Sequence, residues 1–165
     1  MKDAETELTP LEEDCTGDVD RMLFEAVGRL RLALESGLKD QGNINLTEYN
    51  VLLHLAEQED GSMRLGDLAR TLIFSPSRLS YQIRSLEKRG LLERQRSAED
   101  GRGAHAVITD AGRQVLRDCE QTYSRVVSIL LCELVNKEEA RVLHRVLKRL
   151  NQSLSINTLT SLARL

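Results

Sequence analysis

At 165 residues the chain is long enough to bury a core without disulfide or metal staples, as one compact domain or two small, closely packed ones. Aromatic residues make up only 3% and Trp is absent, so the apolar content rests on Leu, Val, Ile and Ala, which disfavours a sandwich or barrel and points to a mainly helical fold. The formal net charge of −3 argues against a nucleic-acid partner until its distribution is read: from Arg64 to His105 nine basic residues stand against five acidic ones, a local +4, and the remainder carries −7.

From Met1 to Asp20 a single base, Lys2, accompanies eight acids, the composition of an acidic, disordered arm over residues 1–17. Val19, Met22, Leu23, Ala26, Val27, Leu30, Leu34 and Leu38 then repeat at the three-and-four spacing of one helical stripe. They predict a helix from Asp18 to Lys39, about 33 Å long at the usual rise and suited to a subunit contact. Gln41-Gly42-Asn43 is its stop, and residues 18–45 make a first dimerisation segment.

Thr47 is the expected N-cap of a second helix, Glu48 to Gln58, with Tyr49, Leu52, Leu53 and Leu55 mostly inward, and Asp60-Gly61-Ser62 closes it as a turn. Leu65, Leu68, Ala69 and Leu72 predict a short helix. After Phe74-Ser75-Pro76-Ser77 comes another, with Leu79, Ile83 and Leu86 inward, capped by Ser75, opened by Pro76 and ended by a left-handed Gly90. The stretches 91–96 and 104–108, around Asp100-Gly101-Arg102-Gly103, read as a β-hairpin. Thr109 caps a long fifth helix with Val115, Leu116, Cys119, Tyr123, Val126, Val127 and Leu130 at core spacing. Asn136 caps the last, with Leu143, Val146, Leu147 and Leu150 inward. The expected fold is therefore mainly α with a small β-hairpin wing: a winged helix-turn-helix over residues 46–108, flanked by 18–45 and by helices over 109–165 that complete the dimerisation region.

A helix fits the major groove of DNA when its exposed face presents donors to base edges and phosphates. With Leu79, Ile83 and Leu86 inward, the opposite face carries Ser77, Arg78, Ser80, Tyr81, Arg84 and Lys88. Ser77, Arg78, Tyr81 and Arg84 are placed for base edges, whereas Lys88 and Ser75, the latter at the helix N-terminus, suit phosphate. Arg94, Arg96 and Arg102 lie on or beside the hairpin tip, where a narrow minor groove attracts Arg, and Asp100 suits the orienting of a guanidinium.

Four segments resemble the MarR family, the multiple-antibiotic-resistance regulators: Leu65-Gly66-Asp67-Leu68-Ala69, then Ser77-Arg78-Leu79-Ser80 through Leu86-Glu87-Lys88-Arg89-Gly90-Leu91-Leu92, then Asp100-Gly101-Arg102, then Ile108-Thr109-Asp110-Ala111-Gly112. They look like that family's supporting helix, recognition helix, D-x-R wing and T-x-x-G helix start. Four such pieces in register are specific, and the order of the flanking helices extends the resemblance from Val19 onward. It implies a homodimer joined through the N- and C-terminal helices, with Arg102 reaching into a minor groove, and a repressor released by a small ligand or oxidant. Independently, helices one, five and six carry more apolar surface than the DNA-binding unit covers. A two-fold pair sets recognition helices about 10 bp apart and predicts a palindromic operator on double-stranded DNA.

An effector pocket is expected between helices one, two and five, lined by Leu30, Tyr49, Leu53 and Val115. Cys15, Cys119 and Cys132 are odd in number and show no CxxC spacing; acids around Cys15 oppose thiolate formation, and the other two sit on the apolar side of the fifth helix. His54, His105 and His144 have no metal-site spacing, no cofactor is implied, and no catalytic grouping can be assembled, so a non-enzymatic protein is expected. Without a signal-peptide pattern or an apolar run of membrane-spanning length, the expected location is cytoplasmic. The competing reading is a protein-interaction module, a winged-helix scaffold whose basic face takes an acidic partner.

Overall fold

The computed structural model describes residues 13–96, 104–129 and 133–153. In chain order these form α1 (Glu13–Gly42), α2 (Leu46–Ala56), β1 (Ser62–Arg64), α3 (Leu65–Thr71), α4 (Pro76–Lys88), β2 (Leu92–Arg96), β3 (Ala104–Ile108), α5 (Asp110–Ser128) and α6 (Lys137–Ser153). A mainly helical fold with a small antiparallel sheet is thus observed, and several of its features differ from the sequence-based expectation.

The first is the sheet. Its order is β1-β3-β2, so the hairpin of β2 and β3 gains a third strand, with Ser62 opposite Val107 and Arg64 opposite His105. Three residues, Ser-Met-Arg, are too few to show an alternation. What aims them at β3 is the turn before them: Gly61 takes φ +69° and Asp60 accepts a hydrogen bond from Ser62 N at 2.9 Å. The second is the start of α2. Its cap is Asn45, not Thr47: the Asn45 side chain accepts from Glu48 N at 2.9 Å, and Glu48 accepts from Asn45 N at 3.1 Å. This reciprocal pair satisfies two otherwise orphaned donors, which a Thr two residues later does not do. At the other end of the fold, α1 begins by Glu13, so residues 13–17, expected in the acidic arm, are helical.

Other local signals are realised as expected. Ser75 caps α4 with Pro76 in its first turn, Gly90 takes φ +71°, and Thr109 accepts from Gly112 N at 3.1 Å. Asn136 accepts from the amides of Glu138 and Glu139.

The core lies under α4, where Leu79, Ile83 and Leu86 meet Leu52, Leu55 and Leu68 together with Leu92, Ala106 and Ile108 of the sheet. Leu38 of α1 and Cys119 of α5 extend it, and the two helices run against each other so closely that a Cβ on Gly37 would overlap the Thr122 side chain. Beyond that junction burial stops. Val19, Met22, Leu23, Phe24 and Val27 of α1 are exposed, and so are Val142, Leu143, Val146, Leu147 and Leu150 of α6. The inward face expected for the last helix is therefore a bare apolar stripe in the single chain.

Candidate nucleic-acid interface

The site is built on α4. Its buried edge is Leu79, Ile83 and Leu86, which fixes the roll of the helix and turns the intervening positions outward. Ser75, Ser77, Arg78, Tyr81, Arg84 and Lys88 are all exposed, and Ser80 is half-buried at the flank. Tyr81 stands 71% exposed, an unusual position for a large ring with no packing duty. Ser75 Oγ accepts from Arg78 N at 3.3 Å and lies 3.2 Å from Ser77 Oγ, so two hydroxyls gather at the helix N-terminus.

The cations of this face differ in what holds them. Arg78 lies over the Phe74 ring at 4.7 Å from its centroid, which pre-orients the guanidinium while leaving its donors available. Arg84 and Lys88 form no ion pair among the described residues. A salt bridge of Arg84 to Glu87 is not seen; Glu87 instead pairs with Arg94, Nε to Oε2 at 3.5 Å, and ties the first wing strand to the recognition helix. Arg94 is thus partly occupied, whereas the side chain of Arg96 and the whole of Asp100 and Arg102 lie outside the described residues, as do Cys132 and the side chain of Cys15.

The turn entering α4 carries strain. Ile73, 63% exposed, takes φ +55°, a left-handed conformation that a β-branched side chain rarely adopts. Behind the helix, sequence reasoning missed a second constellation. Glu48, buried at the head of α2, accepts from Ser85 Oγ at 2.7 Å and faces Arg89 Nη1 at 3.3 Å, while Arg89 Nη2 donates to the Gly42 carbonyl at 3.3 Å. The spacing Asn45-x-x-Glu48 signals the helix cap. Nothing in the sequence signals that the same carboxylate also reaches α4.

Of the four residues expected to line an effector pocket, Tyr49 is part of the core and Leu53 and Val115 pack against it. Tyr49 is 3% exposed and stacks on Tyr123 with ring centroids 4.7 Å apart, while Leu53 and Val115 are half-buried beside it. Leu30 lies further toward the start of α1 and is half-buried. Burial, then the neighbouring Tyr123 and Cys119, pushes the Tyr49 hydroxyl up to about 12, and burial likewise raises the Cys119 thiol, which disfavours thiolate chemistry there. A cleft of about 450 Å³ opens instead between α1, the head of α2 and α4, lined by Arg31, Glu35, Lys39, Thr47, Arg78 and Gln82 among others. His54 faces Glu57 at 3.2 Å, His105 lies in β3 and His144 in α6; among the described residues no three His, Cys, Asp or Glu side chains cluster as a metal site.

Comparison with known proteins places these features in a family. Residues 43–103, the head of α2 through the wing, match the family model described as MarR family. The transcriptional repressor MprA of Escherichia coli K12 is 31% identical over 118 residues, which span 70% of this chain and 66% of that repressor, just under two thirds of its length. AbsC, a MarR family transcriptional regulator of Streptomyces coelicolor, is 30% identical with a TM-score of 0.82, covering 88% of this chain and 98% of AbsC. Sco3205, a MarR family transcriptional regulator of the same organism solved in complex with DNA, gives a TM-score of 0.83 at 27% identity, over 88% of this chain and 94% of its own.

Proposed function

The chain belongs to the MarR family of transcriptional regulators, and from that premise we propose that it binds double-stranded DNA sequence-specifically, as a homodimer on a palindromic operator. It is a regulator and not an enzyme. The observation that carries the proposal is the outer face of α4: Arg78, Tyr81, Arg84 and Lys88 project from one rigid helix, Arg84 and Lys88 without an ion-pair partner among the described residues. Arginine donates in a bidentate manner to guanine, lysine serves phosphate, and the Ser75–Ser77 hydroxyls suit a phosphate oxygen at a helix N-terminus. We assign the wing residues Arg94, Arg96 and Arg102, with Asp100 as orienter, to the adjacent minor groove.

The dimer reading is supported by the bare apolar stripes of α1 and α6, which a monomeric soluble protein does not ordinarily present to water. Repression is the expected consequence, consistent with the role in the name of MprA. Release by a small effector is assigned to the cleft of about 450 Å³, because an occupant there touches both α1 and Arg78 of the recognition helix. No helix among the described residues is long and apolar enough to cross a membrane, and we assign the protein to the cytoplasm. The alternative of an acidic protein partner on the same basic face is not favoured.

Anisotropy titration at two salt concentrations, with DNA from the upstream region of the gene, tests the proposal. The expected dissociation constant lies at about 10⁻⁸ M or tighter, with a steep loss on adding salt. Binding only at the non-specific level of about 10⁻⁴ to 10⁻⁶ M, on every duplex offered, overturns it.

A further inference from the structure

Glu48 is the one buried acid among the described residues, its side chain 5% exposed. Capping α2 requires only the exchange with Asn45. Yet the same carboxylate takes two partners from α4 and its C-cap, 37 and 41 residues away: Ser85 Oγ on Oε1 at 2.7 Å and Arg89 Nη1 on Oε2 at 3.3 Å. Arg89 then donates to the carbonyl of Gly42, the last residue of α1, at 3.3 Å. One carboxylate thus gathers the end of α1, the head of α2 and the C-terminal half of α4. A buried carboxylate held this way is costly to desolvate and costly to disturb, because removing either partner strands a charge.

The N-terminal half of α4 is held differently. Arg78 and Gln82 line the open cleft opposite Arg31, Glu35 and Lys39 of α1, and the buried Gln82 Oε1 has no hydrogen-bond partner among the described residues. The recognition helix is therefore held by polar contacts at Ser85 and Arg89, while its DNA-reading end rests on the core through Leu79 and Ile83 and stands off the dimerisation helix. Some nine residues separate clamp and reading end, about 14 Å along the helix, so a tilt of about 5° at the clamp moves that end by about 1 Å. Hydrogen bonds to base edges do not tolerate such a shift. In a two-fold pair the displacements combine to about 2 Å, a large part of the roughly 3.4 Å rise of one base pair.

We propose that Glu48 is a positioning residue for operator spacing: by joining Asn45, Ser85 and Arg89 it fixes the angle of α4 against the α1–α2 junction, and so sets the half-site separation that the dimer accepts. The inference rests on the DNA-binding dimer proposed above.

The test uses the full chain and a palindromic duplex that the wild-type protein selects from a randomised pool, together with versions whose central spacer is one base pair longer or shorter, and an unrelated duplex. Glu48→Gln, which keeps an acceptor for the cap but loses the charge, and Arg89→Met are compared singly and together, with urea midpoints as a check on folding. The expected result is about a tenfold loss on the selected spacing, little loss on the altered spacers, and a double variant no worse than either single one. Loss by one common factor on all duplexes, additive losses or unchanged profiles overturn the proposal. Should Glu48→Gln not unfold cooperatively, Ser85→Ala, which deletes only the Oε1 hydrogen bond, is read by the same criteria. A wild-type protein that selects no sequence overturns the DNA-binding reading and this one with it, a result obtained before any variant is made.

Discussion

Gly112 offers a sharp test of how the wing is joined to the helical body. It lies in the first turn of α5, where its N–H bonds Thr109 Oγ, while Thr109 donates to the Gly90 carbonyl at 2.7 Å and, through its N–H, to the Leu91 carbonyl at 3.2 Å. A Cβ at Gly112 would overlap that Leu91 carbonyl oxygen and lie 2.9 Å from Ile108 Cγ1. The obstacle is backbone, so Gly112→Ala must push α5 away from the start of β2. Overpacking costs about 1–3 kcal/mol, and weakening the bond from Thr109 N adds about 1 kcal/mol. The better helix propensity of Ala returns about 1 kcal/mol. The net loss is about 2 kcal/mol, a fall in Tm of roughly 4–8 °C for a chain of this length. Circular-dichroism melts at matched protein concentration measure it, with Gly66→Ala alongside. Gly66 has open space where its Cβ would go, so that variant gains about 0.5–1 kcal/mol. A Gly112→Ala protein that melts with or above the wild type refutes the close approach of α5 to Leu91.

Ile73→Gly removes a Cβ from φ +55° at a 63% exposed position; relief of about 1–2 kcal/mol less about 0.5–1 kcal/mol of added chain entropy predicts a small rise in the urea midpoint, and a fall contradicts the strain. Arg84→Ala is expected to weaken operator binding by about 1–3 kcal/mol per half-site with the melting curve unchanged, whereas Lys88→Ala lowers the slope of log K against log salt by about one per half-site, about two for the dimer; both are read in one anisotropy series, and equal losses on operator and random DNA for Arg84→Ala argue against base contact. Tyr49 is held neutral in the folded protein, up to about 12 against an ordinary 10.0. The unfolded chain therefore loses that proton first, and the associated stability is complete below pH 10 and lost as pH rises toward 12. Stability at alkaline pH should fall less steeply in Tyr49→Phe, and parallel curves count against the buried hydroxyl. Leu147→Glu in the α6 stripe is expected to yield a monomer by light scattering, and an unchanged mass removes α6 from the interface.

The elements that were legible in the sequence are those whose instructions are local. Ser75-Pro76, Gly90, Thr109 and Asn136 each act on a backbone group within three residues, so their roles follow from type and position. The outward face of α4 was legible because Leu79, Ile83 and Leu86 fix its complement. What escaped was non-local. Strand β1 exists because β3 lies opposite it, and the Tyr49–Tyr123 stack joins residues of two helices far apart in the chain. The choice of Asn45 over Thr47 turned on a partner, Glu48, whose carboxylate also serves α4. The stripe on α6 was read correctly as apolar and wrongly as inward, since period alone does not say whether the covering surface belongs to the same chain.

That stripe bears on how the regulator works. A helix the length of α6 is marginal in water without a surface to pack against, and every α6 residue from Arg141 to Ser153 is exposed in the single chain. Its order is then coupled to association through the proposed interface, and so is that of the exposed first half of α1. The second half of α1 leads directly to Gly42, whose carbonyl holds Arg89, and Arg89 shares the Glu48 carboxylate with Ser85 of the recognition helix. The proposed dimer contact and the DNA-reading face are therefore joined by one continuous helix and three polar contacts, with the cleft beside them as a place where an occupant touches α1, α2 and α4 together. An effector in that cleft changes operator affinity only to the extent that it favours one angle of α4 over another. The clamp at Glu48 is the element whose stiffness sets how much binding energy that change requires.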